Sequence, residues 1–133
     1  MPLQVIIDNE FASLWLHTET NIIHHQFKKY IHGQSFREIL LAGHELMLKQ
    51  HCTKWLSDDS NNGAIATDDE KWSQNEWFPQ MMKAGWKHWA VLPPTKVVGQ
   101  MNIKRFAETY KKLGLNARIF TSQPEALTWL VGL

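Results

Sequence analysis

The sequence predicts an α/β domain on a mixed, mostly parallel sheet that begins with an antiparallel hairpin, in the order βββαβαβαβα. Three observations predict it. Residues 11–17 and 22–30 are two extended stretches separated by the turn Thr18-Glu19-Thr20-Asn21. Short apolar runs at 54–57, 88–92 and 117–120 alternate with stretches of helical spacing. Three Ser/Thr-x-x-Glu boxes mark places where helices can start.

Residues 3–8 form a short apolar run and read as the first strand. The segment Phe11-Ala-Ser-Leu-Trp-Leu-His17 has a period of two, and 22–30 continues as a longer partner strand. In hairpin register Leu14, Leu16, Ile23 and Phe27 share one face, and Trp15, His24, Gln26 and Lys28 share the other. Ser35-Phe36-Arg37-Glu38 predicts a capped helix start. Phe36, Ile39, Leu40, Gly43, Leu46 and Met47 then follow at helical spacing to about His51. Thr67-Asp68-Asp69-Glu70 predicts a second capped helix, ending at Gly85, with a kink where Pro79 cannot donate to the carbonyl of Asn75. Residues 102–113 predict a third helix. Ser122-Gln123-Pro124-Glu125 opens a last one that runs to Val131.

The length of 133 residues fits one domain, 1–133, with no linker or repeat. Hydrophobic residues make up 44%, enough for a substantial core. With 14 Lys and Arg against 13 Asp and Glu, the net charge is +1, which gives no long-range field for a nucleic-acid partner. No apolar run approaches membrane-spanning length, and Met1-Pro2-Leu3-Gln4 lacks the basic start of a signal peptide. Cys52 is the only cysteine, so no intrachain disulfide forms, and a reducing cytoplasmic setting is expected.

No nucleotide-binding loop, nucleophile elbow or metal-site motif is present, so no enzyme and no cofactor is expected. His24 and His25 are adjacent on a strand and point to opposite faces. His17 and His24 can meet on the outer face, but no carboxylate or thiolate completes a metal set, so both are expected to face solvent. The acids at 58–59 and 68–70 are expected to serve helix starts. In a mostly parallel sheet, ligands gather at the carboxyl ends of the strands. That edge carries Asp58 to Gly63, Pro93 to Gly99 and Thr121-Ser122, and Asp58, Asp59, Ser60 and Thr67 are candidate contact residues. In helix 67–85, Phe78 and Met82 mark one apolar stripe, and Trp77, Met81 and Ala84 another. A helix apolar on two sides packs twice within its chain or covers one side with a partner or ligand. Trp72, Trp77 and Met81 are therefore candidate contact residues. The seven Trp fill a core, or some of them line a ligand cleft or an interface.

The hairpin followed by βα units, with Lys54-Trp-Leu-Ser-Asp58, Asn75-Glu-Trp-Phe-Pro79, Ala84-Gly85, Ala90-Val-Leu-Pro93 and Glu125-Ala-Leu-Thr-Trp-Leu130, resembles STAS-like (anti-sigma-factor-antagonist-like) domains. More narrowly, it is similar to uncharacterised bacterial STAS-like proteins related to CRAL-TRIO lipid-binding domains. The resemblance implies a non-enzymatic regulatory module with protein partners, expected as a homodimer. Its lipid-binding relatives imply an alternative, a binder of an apolar small molecule or lipid in a Trp-rich cleft. Well-studied STAS regulators carry a phosphorylatable serine after a strand, in an Asp-Ser-x-Gly-like turn. Here Asp59-Ser60-Asn61-Asn62-Gly63 stands in that place with two Asn intervening, and Ser60 is the candidate acceptor.

Overall fold

The computed structural model describes residues 2–133. Six strands form one sheet in sequential order: β1 (Leu3–Asp8), β2 (Ala12–His17), β3 (Ile22–Phe27), β4 (Lys54–Asp58), β5 (His88–Leu92) and β6 (Asn116–Ile119). β1, β2 and β3 are antiparallel neighbours, and β3 to β6 are parallel. This is the mixed sheet that the hairpin and the alternating runs predict. β3 stops at Phe27, short of Tyr30. The period-two pattern ends there, and the Lys28 ammonium turns to the Asp8 carboxylate at 2.7 Å.

The helices are α1 (Gly33–Gln50), α2 (Thr67–Trp72), a π-turn (Ser73–Trp77), α3 (Phe78–Ala84), α4 (Val97–Lys112) and α5 (Gln123–Val131). The inner face of the sheet packs against α1, α3 and α4 through Phe36, Ile39, Trp55, Trp77, Trp86, Trp89, Phe106 and Tyr110. The outer face packs against α5 through Ile22, Leu56, Ala90, Ala126 and Leu130.

All three capping boxes are corrected. None of these helices has a side-chain hydrogen bond from its N-cap residue. α1 starts at Gly33, two residues before Ser35, because a different helix supplies the cap. Asp69 accepts the Gly33 N–H at 2.8 Å and the Arg37 guanidinium at 3.1 Å. Glu70 pairs with Arg105 on α4 at 2.6 Å rather than reaching back to its own helix start. The acids at 68–70 thus staple α2 to α1 and α4. α4 itself starts at Val97, five residues earlier than its apolar spacing predicts.

Pro79 produces no simple kink. The chain widens into the π-turn just before it, where the Phe78 N–H reaches the Ser73 carbonyl, and Pro79 sits in the first turn of α3. A π-turn resets the phase of the helix. Both apolar stripes therefore turn inward: Trp77, Phe78 and Met81 are all buried in the inner core. The second apolar side is covered by the chain itself. Gly85, at φ 106°, ends the helix as its spacing predicts.

Gly43 sits over Trp55, and a Cβ there would run into the indole ring. The close approach of α1 to β4 depends on that glycine.

Candidate functional site

The site begins with a polar residue on an apolar face. His25 alternates with Ile23 and Phe27 and lies opposite Leu14, so it points into the inner core and is 3% exposed. A buried polar group there needs partners on both ring nitrogens. Trp55 Nε1 lies 2.9 Å from His25 Nδ1, and Asp59 Oδ1 lies 2.7 Å from His25 Nε2. An indole nitrogen can only donate, so His25 Nδ1 is the acceptor and Nε2 carries the hydrogen that goes to Asp59. The tautomer is fixed by its neighbours. The relay runs Trp55 to His25 to Asp59, from the middle of β4 to the loop that follows it.

That loop is held from several sides. The Asp59 N–H bonds to the Leu92 carbonyl at 2.9 Å, which ties it to the end of β5. Asn62 Oδ1 accepts the N–H groups of Ile31 and Gly63. Asn102 on α4 accepts the Ile65 N–H at 3.2 Å. Asp58 Oδ1 accepts the backbone N–H of Ser60 at 3.1 Å and its hydroxyl at 2.6 Å, an Asx-type turn. Ser60 is half-buried.

Beneath the loop lies a cavity of about 50 Å³, lined among others by His25, Ser57, Asp59, Trp77, Trp89 and Tyr110. Trp89 Nε1 donates to Ser57 Oγ at 2.8 Å, and Tyr110 stacks on Phe78 with centroids 3.9 Å apart. Burial pushes the Tyr110 hydroxyl well above the usual phenol range. A cavity of this size holds a few water molecules.

The candidate residues separate into two groups. Asp58, Asp59 and Ser60 come together in the loop at the carboxyl ends of the strands. Thr67 is exposed at the start of α2, and Trp72 is half-buried with the Arg37 guanidinium 5.1 Å from its ring. Trp77 and Met81 lie in the inner core, Trp77 in the lining of the cavity. Met81 is fully buried, and Trp77 donates its indole hydrogen to the Leu40 carbonyl at 2.8 Å. His25, Ser57, Trp89 and Tyr110 are the site residues that composition and spacing missed. The available signal was His25 itself, a polar side chain in phase with Ile23 and Phe27.

The histidines of the outer face are also corrected. His17 and His24 do not face solvent: both are buried, with His17 Nε2 3.0 Å from His24 Nδ1. Burial lowers the pKa of both, that of His24 to about 3. Among the described residues no cluster of three or more His, Cys, Asp or Glu could hold a metal ion. Cys52 is buried, and burial pushes its thiol up to about 11, away from nucleophilic use.

A solved structure from Thermotoga maritima, of a protein proposed to be an anti-sigma factor antagonist, superposes with a TM-score of 0.56 at 12% identity, over 97% of this chain and 92% of that one. The fold is STAS-like. An uncharacterised Shewanella loihica protein with a SpoIIAA-like fold also superposes, with a TM-score of 0.54 at 9% identity, over 97% of this chain and 92% of that one. No family model and no curated protein matches the sequence. At these identities the STAS-like likeness is one of architecture. The Asp58–Ser60 turn leaves the end of β4 ahead of α2, at the carboxyl edge of this sheet. Among the described residues of the STAS-like chain, no helix is long and apolar enough to cross a membrane.

Proposed function

We propose that this chain is a single-domain, non-enzymatic regulatory module of the cytoplasm that works by binding proteins, including a second copy of itself. The observation that carries the reading is the STAS-like fold across nearly the whole chain, shared with a protein proposed to be an anti-sigma factor antagonist. The Asp58–Ser60 turn supports it. The buried relay and three hydrogen bonds, to the end of β5, to Ile31 and to α4, hold this loop in one shape, as a recognition surface requires. Ser60 is the switch. A phosphate on Oγ adds a charge of roughly −1.5 to −2 beside the Asp58 carboxylate now 2.6 Å away, which breaks the turn by like-charge repulsion. Loop 59–66 then presents a different surface to its partner.

The test is affinity capture from the native host with wild type, Ser60→Ala and Ser60→Asp, alongside native mass. A specific partner that distinguishes Ser60→Ala from Ser60→Asp supports the module. A chain that is monomeric at micromolar concentration and captures no partner contradicts it.

The second reading is an apolar small-molecule or lipid binder, favoured by the aromatic cavity under the loop. At about 50 Å³ the cavity is far below the roughly 300 Å³ of a drug-sized pocket, so the helices over it must part to admit such a ligand. Organic extraction of purified protein tests this. Recovery of no stoichiometric compound contradicts it.

A further inference from the structure

The two edges of the sheet differ in what they leave exposed. β6 is four residues long and carries Arg118, whose guanidinium lies over Phe120 at 5.1 Å. A short, charged strand is one of the devices by which proteins prevent edge pairing. β1 at the other end has no charge from Leu3 to Ile7, and among the described residues no strand pairs with its free edge. Leu3, Gln4 and Val5 are exposed, Leu3 by 45% and Val5 by 59%. Leu3 lies opposite His17 and Val5 opposite Trp15, so both apolar side chains stand on the outer face. α5 packs mainly on β4 and β5, and the exposure of Leu3 and Val5 shows that it leaves them uncovered. The protective features of β1 all lie at its far end: a register irregularity between Val5 and Ile7, and the Asp8–Lys28 ion pair.

We infer that the free edge of β1 is where two copies of this chain pair, antiparallel about a two-fold axis at Gln4. This rests on the homodimer reading above. A second copy fits because the edge is self-complementary. With the axis at Gln4, each Leu3 stands opposite the partner copy's Val5, and the two Gln4 face each other. No like charges meet in such a pair, and a net charge of +1 gives two copies no long-range repulsion. Four aliphatic side chains then form one strip on the outer face, beside the half-buried Trp15 of each copy. The far end of β1 limits the pairing to its first residues. There the irregularity bends the strand and Asp8 adds a charge.

The experiment combines native mass spectrometry with cross-linking on the full chain. Wild type is a dimer at micromolar concentration. Val5→Lys places an ammonium in the strip and raises the dimer dissociation constant by about tenfold or more, equal to ~1.4 kcal/mol. Its far-UV spectrum stays that of wild type, because Val5 is exposed in one chain, and its melting temperature falls only by the stabilisation that dimerisation gives the folded wild type. Gln4→Cys forms a disulfide-linked dimer under mild oxidation, since facing residues of an antiparallel pair sit about 4.5–5.5 Å apart between Cα atoms, within disulfide range. Leu113→Cys, exposed just past the end of α4, does not. A wild-type dimer that persists unchanged in Val5→Lys, with no cross-link from Gln4→Cys, overturns this surface and leaves the homodimer standing. A monomeric wild type overturns both.

Discussion

The inner and outer faces of the sheet bury polar groups on opposite terms. On the inner face, the buried indoles of Trp55, Trp77, Trp86 and Trp89 all have an acceptor: His25 Nδ1, the Leu40 carbonyl, the His88 carbonyl and Ser57 Oγ. His25 uses both of its nitrogens. On the outer face, His17 and His24 bond only to each other, and His17 Nδ1 and His24 Nε2 are buried without a partner among the described residues. One proton joins the pair, so whichever ring donates, one outer nitrogen is an unpaired N–H and the other an unpaired lone pair. Each unpaired group costs about 1–3 kcal/mol of desolvation. The inner face is built for stability and holds the loop at the carboxyl edge. The outer face holds a strained polar pair beside uncovered apolar residues, where adaptation and association have room.

The largest expected effect breaks the inner face. Trp55→Ala removes a fully buried side chain together with the donor that fixes the His25 tautomer. It should lower stability by about 3–5 kcal/mol in chemical denaturation, and a loss below ~1 kcal/mol would show that the inner network adds little. His25→Ala keeps the Trp framework and strands the Trp55 N–H and the Asp59 carboxylate. It should cost about 2–3 kcal/mol and raise hydrogen exchange in residues 59–66 more than in β2. Uniform exchange across both would separate the relay from the loop.

The outer face should answer to acid. The pKa of His24 in the folded chain, about 3, lies below its ordinary value of 6.5. Between these values the unfolded chain binds the extra proton, so stability is full above pH 6.5 and falls as pH drops toward 3. The slope approaches ~1.4 kcal/mol per pH unit for one group. The lowered pKa of His17 acts in the same direction. Denaturation midpoints from pH 7 to 4 should fall in wild type and fall less steeply in His24→Leu. Equal slopes would place the acid sensitivity elsewhere. The smallest effect belongs to Val5→Lys, which should shift single-chain stability by no more than about 0.5 kcal/mol, because the side chain is 59% exposed.

Much of the architecture was legible because it rests on local pattern. The period-two hairpin, its turn at 18–21, the apolar runs of β4 and β5 and the Gly85 stop all have near-neighbour causes. Helix starts were less legible: Asp69 caps α1 from 36 residues away, and no local box reports that. The two apolar stripes of helix 67–85 read as two surfaces because a regular 3.6-residue period was assumed, and the π-turn removes that premise. The edge holding Asp58, Asp59 and Ser60 followed from the parallel topology. Its support did not, since the partnership of His25 with Trp55 and Asp59 joins β3 to β4 and the following loop over 30 and 34 residues of sequence.

The interaction-module account is tested most directly by the intact mass of protein purified from its own host, measured native and then denatured. The account predicts a native mass of two chains, and, where the switch is set, a denatured chain heavier by one phosphate on Ser60. A bare, unmodified single chain under both conditions would contradict it.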